Sequence, residues 1–401
     1  MTRGCGRLAV ALAACAAAAT PGRAQDLAPL DSAVRSLMAR DAVPGVALAV
    51  VAGDSVLALR GWGLARVGDS VRVDPERTAF RVASVAKLFV ATVVSTLAAE
   101  GAVDLQRDVN DYLRGWQVPR GPGGPITLHH LLTHTAGLDE RLIGYAARSI
   151  DSIRPLGEYL AANLPHRGWP PGLLTGYSNH GMALAAHVAE TVAGRSFREL
   201  AAERLFGPLG MTRTRYMTIP DSIAEVAGKG HFCDETRCSE APEIFSHPYP
   251  VGLAYSTASD MARFLRALMG SDTATLPRAA LTLLTAPQFT HDSMLAGMGY
   301  GFFRQHRRGR LLLAHSGTVP GTNNLLVIVP EAKTGIYFVA NGGRSRFGES
   351  LRDALLGMLF PHDAAPAAPI GVALSAEYVR ALAGPYQMTR YAHRTIEAVP
   401  T

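Results

Sequence analysis

The chain has 401 residues, of which 48% are hydrophobic, 18% charged and 7% aromatic, with 40 glycines and 25 prolines. This is the composition of a globular protein with one large core or two lobes, and it excludes a disordered chain, a collagen and a coiled coil. Setting aside Arg3, Arg7 and Arg23 leaves 36 basic against 33 acidic residues, with no basic run or aromatic-interleaved basic stripe, so nucleic acid is not expected as a partner.

The beginning reads as an address. Residues 1–7 carry two positive charges, residues 8–19 are unbroken apolar, and Thr20-Pro21-Gly22-Arg23-Ala24 supplies small residues before a cut after Ala24. That pattern predicts a secretory signal peptide over 1–24. Its apolar stretch is shorter than the roughly 18 residues that span a bilayer, so no transmembrane helix is expected after cleavage. Leu12-Ala13-Ala14-Cys15 also matches a bacterial lipobox, and a lipoprotein anchored through Cys15 is the alternative. Either route places the protein outside the cytoplasm, periplasmic or secreted. In that oxidising setting Cys233 and Cys238 bracket a loop short enough for a local disulfide. A zinc site would need two further ligands, and nearby His231 completes no familiar spacing.

Residues 46 to 52 and 55 to 60 flank Gly53-Asp54 and predict an early β-hairpin. From 87 to 100 the chain is nearly all apolar or small, which predicts a long buried helix ended by Gly101. Between about 104 and 216 the pattern is helical, cut by Gly/Pro-rich loops, and predicts a helical lobe. Ser256, Thr257 or Ser259 then caps a helix over 261 to 269, and short β runs follow at 310 to 315, 325 to 329 and 335 to 340. Strands at both ends with helices between predict one sheet assembled from both ends of the chain, and a cleft against the helical lobe as the site. Residues 362–370 read as a linker, and 371–401 as a short tail.

Three short motifs carry chemistry. Ser84-Val85-Ala86-Lys87 places a serine and a lysine three apart on one helical face. A serine hydroxyl is a weak nucleophile until a base takes its proton, and a lysine with a pKa lowered by burial can help do that. Lys87 is the only charged residue between Arg81 and Glu100, in apolar surroundings where a solvated lysine would be out of place. Tyr177-Ser178-Asn179 precedes a helix from about 181 to 193; tyrosine can relay protons and asparagine can donate to a carbonyl, although for the segment taken by itself a loop tyrosine with Ser178 or Asn179 capping the helix is the better explanation. His315-Ser316-Gly317-Thr318 ends a β run where glycine lets a substrate lie against the backbone, with a plain β-turn as the other reading.

In this order and at these separations, Ser84-x-x-Lys87, Tyr177-x-Asn179 and His315-x-Gly317 resemble the serine β-lactamase and penicillin-binding protein superfamily, in its class C β-lactamase-like branch. The stretches Leu128-His129-His130-Leu131-Leu132-Thr133-His134-Thr135-Ala136-Gly137-Leu138 and Tyr255-Ser256-Thr257-Ala258-Ser259-Asp260-Met261-Ala262-Arg263-Phe264 agree with it. The resemblance implies an α/β (α+β) fold, β-lactamase/transpeptidase-like, with a central antiparallel sheet flanked by helices and an inserted all-helical lobe, in a catalytic domain over 25–361. It implies that Ser84 attacks a carbonyl, that Lys87 and Tyr177 share the proton traffic, and that Asn179 orients the substrate. The backbone N–H groups of Ser84 and Thr318 would form the oxyanion hole, beside the substrate-binding residues His315, Ser316 and Gly317. No cofactor is needed, and the partner is a small ester, β-lactam or D-amino-acid peptide.

Dedicated β-lactamases of this branch usually carry Lys-Thr-Gly at the third motif. His315-Ser316-Gly317 here implies weaker carboxylate recognition, and members with His-x-Gly include carboxypeptidase-like, D-aminopeptidase-like and esterase-like hydrolases. The alternative is a non-catalytic penicillin-recognising sensor. His130 and His134 stand four apart on an expected helix, yet the glutamate of a His-Glu-x-x-His metal site is missing and the segment reads as structural. The tail from Leu374 to Tyr386 resembles the opening of a small β domain that it is too short to complete.

Overall fold

A computed structural model describes residues 27–234, 236–343, 346–361, 363, 375–384 and 389–390. The leader over 1–24 with Cys15, nearly all of the linker and most of the tail lie outside the described residues.

The early hairpin forms from β1 (Gly45–Ala52) and β2 (Ser55–Arg66). Gly53 supplies the positive φ of 54° that this two-residue turn needs. After a short β3 (Val71–Arg72), the sheet gains β4 (Phe303–Arg307), β5 (Arg310–Val319), β6 (Thr322–Val329) and β7 (Thr334–Ala340) from far along the chain. All pairs are antiparallel, in the order β4-β5-β6-β7-β1-β2-β3.

Strand β1 sits centrally and is buried on both faces, which explains its unbroken apolar run. Val46, Leu48 and Val50 join one core, with α1 (Leu30–Asp41) and α9 (Phe347–Leu359). Ala47, Ala49 and Val51 join the other, larger core, where small side chains let α7 (Ala258–Leu268) approach the sheet. The cap of α7 is Thr257, whose side chain accepts from the Asp260 N–H.

That larger core continues around α2 (Ala86–Ala99), in which every residue from Ala86 to Leu97 is buried. Phe89 packs edge-on against Phe206 and Phe264, with ring centroids 5.1 and 4.9 Å apart. Burying one such ring contributes roughly 2–3 kcal/mol. The long helix is therefore fixed by tertiary packing, and Lys87 is carried into the interior with it.

The segment over 104–216 contains α3 (Leu128–Leu132), α4 (Leu156–Ala162), α5 (Asn179–Ala193) and α6 (Phe197–Ala201). It is not purely helical. Ala146–Ala147 pairs with Phe245–Ser246, and Arg215–Tyr216 with Ala254–Ser256, which pairs in turn with Phe80–Arg81. After α7 come α8 (Arg278–Thr285) and α9, and within the tail Ala376–Leu382 forms α10, capped by Ser375. Cys233 and Cys238 form a disulfide across the hairpin His231–Cys233/Cys238–Glu240. Among the described residues no helix is long and apolar enough to cross a membrane.

Candidate active site

The pairing of Phe80–Arg81 with Ala254–Ser256 sets the entry to the site: the Val82 N–H donates to the Ala254 carbonyl at 2.9 Å. Ala83 then takes a left-handed backbone, φ 49°, and turns the chain sharply. Ser84 consequently lies in a separate 3-10 turn, Ala83–Val85, ahead of α2 and not in the helix itself. Gly317 of β5 packs against this turn. A Cβ there would stand 2.6 Å from the Val82 carbonyl oxygen and 2.9 Å from the Ser84 nitrogen, so only glycine fits.

Ser84, Tyr177, Asn179, His315, Ser316 and Thr318 line one cavity of about 540 Å³ between the sheet and the helical segment. Lys87 and Gly317 lie beneath its wall. The Lys87 Nζ is 3.0 Å from Ser84 Oγ and 2.9 Å from the Val251 carbonyl oxygen, and 5.0 Å from the centroid of the Tyr177 ring. Burial holds the Lys87 amine well below the ordinary lysine range, with Glu140 opposing and Arg390 reinforcing the shift. Burial pushes the Tyr177 phenol up, while its hydrogen bond with Ser84 opposes that change. A carbonyl oxygen only accepts, so the Lys87 amine donates one N–H to Val251, and the burial that lowers its pKa favours the neutral form, in which a lone pair is open to the Ser84 hydroxyl. Such an amine can take the serine proton.

Asn179 begins α5, whose N-cap Ser178 accepts from the Gly181 N–H at 3.0 Å. Strand β5 runs on past His315 to Val319, whereas β4 covers it only as far as Ala314. Among the described residues, positions 315 to 319 therefore have no ladder partner on that side, and a bare strand edge faces the cavity beside Ser84. His315 is buried. Its Nδ1 is 2.6 Å from the Ser316 carbonyl oxygen and its Nε2 has no partner among the described residues. Burial, with Lys87 adding repulsion, lowers its pKa to about 3, so the ring is neutral at ordinary pH.

Three contributors were not expected from the sequence. His134 lies beyond the end of α3, at φ 58°, and not on a shared helix face with His130. Its ring centroid is 4.5 Å from that of Tyr177, and its Nδ1 accepts from the Ser178 N–H at 3.2 Å. His130 instead bonds to its own helix cap, Thr127. Among the described residues no group of three or more His, Cys, Asp or Glu is placed to hold a metal. Arg81 lines the cavity but spends its guanidinium on the Gly252 and Ile244 carbonyls. Arg390, from the tail, also lines it, with its guanidinium carbon 4.8 Å from the centroid of Tyr177. No local pattern announces any of the three.

The family model described as Beta-lactamase matches residues 30–357. Penicillin-binding protein 4 of Amycolatopsis lactamdurans is 29% identical, over 84% of this chain and 93% of its own. The D-alanyl-D-alanine-carboxypeptidase/endopeptidase AmpH of Escherichia coli is 27% identical, over 74% of this chain and 78% of its own. Among solved structures, an octameric penicillin-binding protein homologue from Pyrococcus abyssi superposes with a TM-score of 0.70 at 25% identity, covering 83% of this chain and 78% of that one.

Proposed function

Because the chain belongs to the β-lactamase family, and so to the serine β-lactamase and penicillin-binding protein superfamily of enzymes, we propose that it is an exported hydrolase that cleaves small esters or amides, D-amino-acid peptides among them, through an acyl-enzyme on Ser84. The observation that carries this reading is the 3.0 Å approach of a buried lysine nitrogen, its pKa lowered by that burial, to a serine oxygen at a cavity wall. Export rests on the leader over residues 1–24.

In the first step Ser84 Oγ bonds to the substrate carbonyl carbon as its proton passes to Lys87 Nζ. In this reading Lys87 is the acceptor and Tyr177 the relay that protonates the leaving oxygen or nitrogen, an assignment supported by burial, which favours the neutral amine at Lys87 and the protonated phenol at Tyr177. The oxyanion meets the N–H groups of Ser84 and Thr318, on the 3-10 turn and the bare edge of β5. Asn179 and the edge residues His315, Ser316 and Gly317 place the substrate. Water then attacks the ester carbonyl and returns a proton to Ser84.

The test is an intact-mass time course of the mature protein with a penicillin and, in parallel, with a p-nitrophenyl ester, using Ser84→Ala as control. A Ser84-dependent adduct that decays as product accumulates supports the reading. Turnover that survives Ser84→Ala removes it, and an adduct that persists with every substrate makes the protein a sensor.

A further inference from the structure

The cavity wall includes a cation that the chemistry above does not use. Arg390 lies beyond residues 30–357, the span of the family match, and reaches the site from the tail. Two contacts seat it. Its Nε donates to Oε2 of the buried Glu140 at 2.8 Å, and its guanidinium carbon stands 4.8 Å from the Tyr177 ring centroid. The backbone beside it is close-fitting as well: a Cβ on Gly176 would come within 3.0 Å of the Thr389 carbonyl oxygen.

Of this guanidinium, only one nitrogen is engaged among the described residues. Among the described residues its two terminal nitrogens have no hydrogen-bond partner, and the side chain is about half exposed toward the cavity. The other charged or chargeable groups at the wall cannot offer the same. Arg81 is taken up by backbone carbonyls, His315 is neutral, and Lys87 lies beneath the surface on Ser84 and Val251. A guanidinium with both terminal N–H groups free presents the fork that matches a planar carboxylate.

We propose that Arg390 determines specificity by binding a carboxylate of the substrate, so that the enzyme favours ester or amide substrates carrying one close to the scissile bond. The inference rests on the acyl-serine reading for where the scissile bond lies. Lys87 Nζ and the Arg390 guanidinium carbon are 5.0 and 4.8 Å from the centroid of the same Tyr177 ring. The two groups are therefore within about 10 Å of each other, so a carboxylate on Arg390 and a carbonyl at the Ser84–Lys87 pair lie within the span of a small acyl compound.

The test separates this from turnover by measuring binding in the Ser84→Ala protein, with N-acetyl-D-alanyl-D-alanine and its C-terminal amide titrated by calorimetry. The acid is expected to bind about 10-fold or more tighter than the amide. Adding Arg390→Ala should bring that ratio close to one, and Arg390→Lys should recover part of it. A general loss of packing would weaken both ligands together and leave the ratio unchanged. Equal affinity for acid and amide in the parent, no binding of the acid at millimolar concentration, or a ratio untouched by Arg390→Ala would each overturn the proposal. So would tighter binding of both ligands after Arg390→Ala, which would make the tail a plug. Failure of the acyl-serine reading shows separately, as ester turnover that survives Ser84→Ala.

Discussion

The side-chain nitrogen of Lys87 lies 3.0 Å from Oγ of Ser84, and the same nitrogen is tied at 2.9 Å to the carbonyl of Val251, 164 residues along the chain. That second bond fixes which way the amine points. Replacing Lys87 by Met keeps the volume but removes the lone pair, and kcat/KM toward a p-nitrophenyl ester should fall by about 10²–10⁴. The variant should melt at or above the parent at pH 7. A lysine held below its ordinary pKa makes the unfolded chain the stronger proton binder, so the native lysine costs stability below that ordinary value. Steady-state kinetics with a thermal melt checks both halves.

The rate should rise with pH through the folded-state pKa of Lys87, because only the neutral amine accepts the serine proton. Glu140 raises that pKa and Arg390 lowers it. Glu140→Gln is therefore expected to move the acid limb of kcat/KM to lower pH, and Arg390→Ala to move it to higher pH. Shifts of both variants in one direction would contradict the electrostatic assignment.

Acid should also unfold the protein through His315. Its pKa is about 3 when folded against an ordinary 6.5, so the unfolded state binds more protons between those values and stability falls as pH drops through that window. Melting temperatures from pH 7 to 3 should decline less steeply in His315→Gln. An unchanged slope would show that another buried histidine dominates.

Gly317→Ala should lose about 1–3 kcal/mol of stability, since its Cβ has no room between the Val82 carbonyl and the Ser84 nitrogen. Activity should fall by about 10²-fold because the strain displaces Ser84 itself. Chemical denaturation and ester kinetics measure the two losses.

His134 supports Tyr177 from behind, by ring contact and through the Ser178 N–H. Its replacement by Ala leaves that buried donor unpaired, at about 1–3 kcal/mol, and should lower kcat more than it changes KM. Asn accepts the left-handed backbone that His134 adopts and offers an oxygen to the Ser178 N–H, so His134→Asn should recover most of the stability. Comparing the two variants by melt and by the kcat/KM split checks the positioning role.

The features legible in the sequence are those with short-range causes. Gly53-Asp54 between two apolar runs marks the hairpin, the apolar stretch after Lys87 marks α2, and the five-residue separation of Cys233 and Cys238 allows the disulfide. The serine–lysine offset of three likewise brings that pair together wherever the chain coils. Ordered along the chain with Tyr177-x-Asn179 and His315-x-Gly317, it was enough to point to the family.

What the tertiary structure alone decided are contacts between residues far apart, for which no local periodicity exists. The Val251 carbonyl that holds Lys87, the edge of β5 that outruns β4, the ring of His134 behind Tyr177 and the arrival of Arg390 over it each depend on how packed elements meet. Turn chemistry and apolar spacing act over a few residues; the pKa values of Lys87, Tyr177 and His315 are set by burial, which exists only once both cores have closed.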